Sequence, residues 1–269
     1  MCHRYNIPLL VDNAHGAYLH FLPQRRHPLD LGADMCCDSA HKTLPVLTGG
    51  AYLHIASCAP ECMRARAKEA LELFGSTSPS YLTLASLDLC NGYLAQDYRE
   101  HLARTIEAVG ETKRRLVDNG WTLLPGEPLK IVLRATAAEA GMALAARLRG
   151  AGIECEYADV DFLVLMPSAE TRECELSTLV LALGVNTAPL AAPAPMPQPG
   201  AERVMSVREA VFAPQETVRA EDSIGRVCAA PTVGCPPAVP IAITGERVDE
   251  NAAALLRRYG IERVAVVRE

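Results

Sequence analysis

The sequence predicts an α/β protein, and three observations carry that reading. Residues 7–11, IPLLV, are a short apolar run that stops at Asp12 and gives way to a polar turn, Asn13 to Gly16. A strand covered on both faces has that form, because burial on each side removes the alternation of polar and apolar residues. Residues 35–39 and 50–55 are further strand-like stretches, flanking a small, turn-forming and apolar tract that runs to Gly50. From residue 121 to 184, strand-like and helix-like segments alternate, as they do when strands are joined through helices.

Taken in order, residues 2–6 supply about a turn of helix end, and the first strand follows at 7–11. Residues 29–34 lead into the strand at 35–39, and 50–55 is rich in β-compatible residues. Residues 60–74, PECMRARAKEALELF, carry charges on one face and predict a helix. A loop spans 75–79. Residues 81–119 are helical in pattern throughout, with Gly92 and Gly110 as the expected kinks or breaks. Strands are predicted at 121–125 and 129–135, an alanine-rich helix at 138–150 ending on Gly150, a strand at 155–166 and a helix at 171–184. Residues 188–200, APLAAPAPMPQPG, have neither period and predict a proline-rich linker. Residues 203–212 predict a helix, 248–259 another, and 263–267 a last strand. The expected organisation is a large-domain portion over 1–119, a small α/β domain over 120–187, the linker over 188–200 and a C-terminal α+β module over 201–269.

Ligands of open α/β sheets bind at the carboxyl ends of strands. Asp12 stands at one such end. Lys42, in the S-x-H-K tract with Ser39 and His41, stands at another about thirty residues later. Most lysines past a strand are solvated surface residues; the alternative is an amine that forms a Schiff base with a carbonyl cofactor. An aspartate capping a turn is equally common on its own. Together the two suit a pyridine-type cofactor, since a carboxylate at short range holds a ring nitrogen protonated.

The stretches VDNAHGAYLHF (11–21), DSAHKTLPVLTGGAYLHI (38–55) and TSPSYLTLASLD (77–88) resemble the pyridoxal-phosphate core of the Orn/Lys/Arg decarboxylase family, of fold type I, and most nearly its shorter bacterial members. The family pattern runs V-D-x-A-H-G-x-H, then S-x-H-K, then T-S-P-S-Y-x-x-x-A-S-L-D. The resemblance covers nearly the whole chain. CPPAVPIAITGE (235–246) resembles the family's Y-P-P-G-[IV]-P-[LI]-x-x-P-G-E element, with Cys235, Ala238 and Thr244 in place of its tyrosine, glycine and second proline. The family has a phosphate-holding loop and a ring-stacking aromatic residue ahead of the first strand here. The chain is therefore expected to be the C-terminal portion of such an enzyme.

The resemblance implies pyridoxal 5'-phosphate as cofactor and decarboxylation of arginine, lysine or ornithine, within polyamine metabolism. It implies covalent attachment of the cofactor to Lys42 and a salt bridge from Asp12 to the pyridine nitrogen. Ala14 would let the ring sit against the backbone. His15 would contact the cofactor or the substrate carboxylate; a histidine satisfied by backbone groups is the alternative. Ser39 and His41 would lie beside the phosphate. Ser76, Thr77 and Ser78 would approach the cofactor of a partner subunit, in a homodimer or higher homo-oligomer; Ser78 could equally cap a helix. Decarboxylation is expected to be impaired by the missing N-terminal part, and a non-catalytic remnant or split-enzyme subunit that binds the cofactor poorly is the alternative. Another fold type I activity, such as an aminotransferase or desulfurase, fits the S-x-H-K-T-L context and the C-terminal module less well.

Composition narrows the classes further. The 269-residue chain carries a net charge of −6 without a Lys/Arg cluster, which speaks against nucleic-acid binding. No apolar run nears the roughly 18 residues that span a bilayer, and residues 1–12 lack the features of a signal peptide. The ten cysteines are scattered, include the adjacent pair Cys36 and Cys37, and form no C-x-x-C pair. They predict reduced cytoplasmic thiols, several buried as small hydrophobes. No metal is expected, and His20, His27 and His54 predict surface or satisfied core residues outside any cluster.

Overall fold

The computed structural model describes residues 1–192, 195–231 and 239–269. Cys235, Ala238 and part of the proline-rich linker lie outside the described residues. The chain forms two compact units. The first comprises Met1–Asn119, Gly126–Ile131 and Met166–Gly184; the second comprises Gly120–Pro125, Val132–Leu165 and Val185–Glu269. Residues 120–187, expected as one small domain, contribute to both.

The elements run β1 (Leu10–Asp12), β2 (Met35–Asp38), α1 (Ala40–Thr43), β3 (Tyr52–Ile55), α2 (Glu61–Phe74), α3 (Tyr81–Ala95) and α4 (Tyr98–Asp118). Next come β4 (Leu123–Leu124), β5 (Ile131–Arg134), α5 (Gly141–Gly150), β6 (Tyr157–Ala158), β7 (Phe162–Leu165) and α6 (Glu173–Leu183). The last are α7 (Val207–Phe212), β8 (Gln215–Arg219), α8 (Glu250–Arg258) and β9 (Arg263–Val267). Among the described residues no helix is long and apolar enough to cross a membrane.

In the first unit, β1 pairs parallel with β2, and β2 pairs antiparallel with β3, in the order β1-β2-β3. The run 7–11 was expected to be buried. Instead Ile7 is 55% and Leu10 57% exposed, because β1 lies at the sheet edge with its side chains open to solvent. The long helical region is two helices. The break falls at Gln96 (φ −108°, ψ −85°), while Gly92 and Gly110 lie inside α3 and α4. A helical glycine costs about 1 kcal/mol but leaves the hydrogen-bond ladder intact. The break instead precedes Tyr98, a fully buried ring set edge-on against Phe21 (5.0 Å between centroids) and Tyr93 (5.6 Å). From there Tyr98, Leu102, Thr105, Val109, Thr112 and Leu116 recur at three- and four-residue steps along the buried stripe of α4. Tyr98 and Leu102 share one core with Tyr18, Leu44, Cys90 and Leu129.

One buried carboxylate ties this unit's sheet together. Asp38, at the end of β2 and 2% exposed, accepts hydrogen bonds from Asn13 Nδ2 (2.6 Å), His27 Nε2 (3.0 Å) and His54 Nε2 (3.1 Å). Burial alone would raise its pKa. The hydrogen bonds from His27, His54 and Asn13 outweigh burial and hold the carboxyl well below the usual range. An ionised carboxylate only accepts, so each imidazole turns a protonated Nε2 toward it. The histidines expected to lack a cluster thus form one, and His20 Nδ1 pairs separately with Asp30 at 3.0 Å.

The second unit holds a four-stranded sheet in the order β4-β5-β7-β6, with β4–β5 and β6–β7 antiparallel. The single strand expected over 155–166 is the β6–β7 hairpin. Asp159 makes the turn: its Oδ1 accepts from Asp161 N (2.8 Å) and Phe162 N (2.7 Å). Helix α5 starts at Gly141, where a Cβ would lie 2.2 Å from the Phe162 carbonyl oxygen, so only glycine allows the approach. The helix expected over 203–212 starts at Val207. Ser206 caps it, accepting from Glu209 N (3.2 Å) while its own N–H donates to Glu209 (2.8 Å). Arg203 bridges to Glu246 in extended form instead. Strand β8, which sequence reading did not anticipate, pairs antiparallel with β9. Helix α8, capped by Asp249 (2.6 Å from Ala252 N), packs Ala252, Ala253 and Leu256 into a core with Val248, Val264 and Val266.

Every cysteine among the described residues is a free thiol. The pair Cys36 and Cys37 points to opposite faces of β2: Cys36 is buried, its pKa pushed up to about 12 by burial and then by the charge of Asp38, whereas Cys37 is exposed. Iodoacetamide on the native chain should therefore label Cys37, Cys58, Cys62 and Cys174 and spare Cys36, Cys90 and Cys228 until denaturant is added. Peptide mass mapping reads this directly, and equal labelling of Cys36 and Cys37 would contradict the register of β2. Leu102→Ala should lower stability by about 2–5 kcal/mol in urea unfolding.

Candidate active site

The end of β2 runs straight into the S-x-H-K tract. Asp38 closes the strand, Ser39 has extended backbone (φ −76°, ψ 90°), and α1 turns once through Ala40, His41, Lys42 and Thr43. The Lys42 ammonium then reaches the turn after β1 and donates to His15 Nε2 at 2.9 Å. That turn is held on both sides. Asn13 N donates to the Cys37 carbonyl (2.9 Å), Gly16 N to the Asn13 carbonyl (2.8 Å), and the Asn13 side chain to Asp38. A Cβ on Gly16 would lie 2.1 Å from Asn13 Oδ1, so a larger residue there would displace the Asn13 side chain that donates to Asp38.

Asp12 pairs with Cys37 in the parallel register, which brings Asp12 and Ser39 to neighbouring strand ends. Asp12 is exposed, and its Oδ1 accepts from Ala14 N at 3.2 Å. The structure thus gathers Asp12, Ala14, His15, Ser39 and Lys42 at one edge of the sheet. The Ser39 side chain makes no capping hydrogen bond to α1, which leaves its hydroxyl uncommitted to the helix. His41 is tied differently: its Nδ1 donates to the Gly50 carbonyl at 3.0 Å, and its backbone N–H donates to the same oxygen at 3.2 Å. That fixes the ring and leaves Nε2 as its remaining polar atom.

Thr77 and Ser78 lie in an exposed loop, where Ser78 N donates to Ser76 Oγ at 3.1 Å. Neither lines the cavity beside Lys42. The cap of α3 is Ser80, which accepts from Thr83 N (3.4 Å), so the alternative of Ser78 as the helix cap does not hold.

Three residues beside Lys42 were missed in the sequence. A cavity of about 190 Å³ is lined by His41, Lys42, Thr43, Leu44, Ser168 and Glu170. The Thr43 hydroxyl is buried without a hydrogen-bond partner. Glu170 accepts from the Tyr93 hydroxyl. Thr43 follows Lys42 directly in the S-x-H-K-T-L tract. Ser168 and Glu170 lie far downstream, and no local pattern connects them to Lys42. The donor set fits pyridoxal phosphate chemically: an amine hydrogen-bonded to an imidazole, a carboxylate on the adjacent strand end, a serine hydroxyl that does not cap α1, and the small residue Ala14 in the turn between Asp12 and His15.

The family model described as Orn/Lys/Arg decarboxylase, major domain, matches residues 1–139. The chain is 31% identical over 280 residues to the uncharacterised protein YaaO of Bacillus subtilis, covering 95% of this chain and 56% of that protein. It is 30% identical over 285 residues to the arginine decarboxylase of Halalkalibacterium halodurans, covering 96% of this chain and 56% of the relative. The chain spans about half the length of the curated relatives it matches. Among solved structures, the constitutive lysine decarboxylase of Escherichia coli superposes with a TM-score of 0.72 at 19% identity, over 98% of this chain and 55% of that one. The lysine decarboxylase LdcF of Francisella novicida gives 0.70 at 14%, over 98% and 54%. This chain shares their fold over about half of their length, as a partial fold type I domain. With the family model matched across the strand ends that carry Asp12 and Lys42, the chain belongs to the Orn/Lys/Arg decarboxylase family.

Proposed function

We propose that this chain carries the lysine-bearing part of a pyridoxal-phosphate-dependent decarboxylase acting on arginine, lysine or ornithine. The observation that carries this reading is the Lys42 amine 2.9 Å from His15 Nε2, with Asp12 on the neighbouring strand end. The cofactor, when bound, supplies the electron sink for loss of carbon dioxide. The chain's own residues do the rest. Lys42 must give up a proton before its nitrogen can attack a carbonyl, and the His15 Nε2 lone pair stands in line to take it. Asp12 would hold a proton on the pyridine nitrogen of the bound cofactor by charge attraction. Ala14, a small residue in the turn, would let a flat ring sit against the backbone. Ser39 and the fixed His41 ring offer polar atoms to a phosphate.

Thr77 and Ser78 are assigned to the site of a second copy of the chain. Their absence from the lining of the local cavity and the exposed apolar residues on either side of them, Phe74, Tyr81, Leu82 and Leu89, support a homodimer or higher homo-oligomer.

Incubation of the chain with pyridoxal phosphate, then borohydride reduction and peptide mapping, should place the added mass on Lys42. Lys42→Ala should remove it. Attachment spread over other lysines, unchanged in Lys42→Ala, would leave a family member that keeps the fold without the function. Where carbon dioxide release from arginine, lysine or ornithine is measured, Lys42→Ala should abolish it. Asp12→Asn should lower turnover by about 100-fold, on the scale of losing one electrostatic partner of the reacting group.

A further inference from the structure

On the face of the sheet where Asp38 is buried, two imidazoles and a carboxylate converge. His27 Nε2 and His54 Nε2 lie 3.0 and 3.1 Å from the same atom, Asp38 Oδ2. The ligating atoms of the three residues all fall within 4.8 Å of one another. A tetrahedral zinc ion with bonds of about 2.0 Å needs donor atoms about 3.3 Å apart. We propose that His27, Asp38 and His54 form a binding site for a first-row divalent transition metal, of which zinc is the probe.

The placement follows from strand geometry. Alternation along β2 puts Cys36 and Asp38 on one face. The antiparallel register sets His54 of β3 opposite Cys36, and the segment before β2 brings His27 over both. The His27 and His54 rings meet edge-on, 5.6 Å between centroids. Two imidazoles with one carboxylate favour zinc and its neighbours over magnesium or calcium, which prefer oxygen ligands. Access comes from a cavity of about 550 Å³ lined by His20, His27, Asp30, Asp38, His54 and Cys58 among others, which leaves room for a water as fourth ligand. The Cys36 sulfur, 3.7 Å from His27 Nε2, is a further soft donor at the rear.

Without metal, each histidine donates its Nε2 proton to Asp38. Binding moves each proton to Nδ1 and turns the Nε2 lone pair to the ion. For His27 this displaces one long contact, the 3.4 Å bond from Leu29 N to Nδ1. The ion replaces two hydrogen bonds with coordinate bonds at the same point, so it braces β2, β3 and the segment ahead of β2. The site departs from the metal-free expectation of the sequence, and it is independent of cofactor binding.

The test uses the full chain, stripped with chelator, its exposed thiols blocked with iodoacetamide. Calorimetric titration with zinc chloride should show one saturable equivalent and a raised unfolding temperature. Cobalt(II) should give the visible bands of a four-coordinate site. His54→Gln keeps a side-chain donor for Asp38 but is a poor ligand, and should weaken zinc binding by at least about tenfold. His27→Gln should do the same. Absence of saturable binding, or zinc affinity unchanged in both variants, would overturn the proposal and leave the cluster a hydrogen-bonded clasp. Circular dichroism of the variants separates loss of binding from loss of fold.

Discussion

A carboxylate that is 2% exposed has to be satisfied on every side, and the first unit is arranged around that requirement. Asp38 draws a donor from each neighbour: Asn13 from the turn after β1, His54 from β3, and His27 from the segment ahead of β2. Removing any of them leaves a charged group short of a partner at low dielectric, which is the costly case. The Asn13 bond, together with Asn13 N on the Cys37 carbonyl, fixes where the turn after β1 stands. That turn carries His15, and Lys42 lies within the single helical turn that follows Asp38. A structural constraint therefore sets the spacing of the candidate catalytic pair.

The geometry around Lys42 follows from two local facts. The parallel register brings the ends of β1 and β2 side by side, and the single turn of α1 directs the lysine back across them. The imidazole of His15 receives its ammonium, while the imidazole of His41 is spent on the Gly50 carbonyl. Two histidines that are alike in sequence, each beside a residue of the site, thus have different duties. The unpartnered Thr43 hydroxyl and the Glu170 carboxylate beside the same cavity add polar groups that no short motif contains.

Helix and strand types were largely legible, and their ends were not. The apolar run 7–11 predicts a covered strand, but its place at the sheet edge leaves it open. Gly92 and Gly110 predict breaks, yet the break occurs where Tyr98 must enter the core, because packing of one aromatic ring outweighs the small local cost of a helical glycine. The strand expected over 155–166 divides because Asp159 hydrogen-bonds its own backbone two and three residues on. Residues 215–219, QETVR, hold one apolar residue and show no alternation, and β9, the partner of β8, lies past α8.

The sequence by itself determined the α/β class and the family, and it singled out Asp12 and Lys42 as candidates. Those rest on contiguous motifs, in which residue type and spacing carry the chemistry. Only the tertiary structure decided which polar side chains meet. His27, Asp38 and His54, or Lys42, Ser168 and Glu170, are brought together by register and packing between distant segments. Hydrogen bonds and close contacts act over a few ångströms of space, and separation along the chain does not measure that distance.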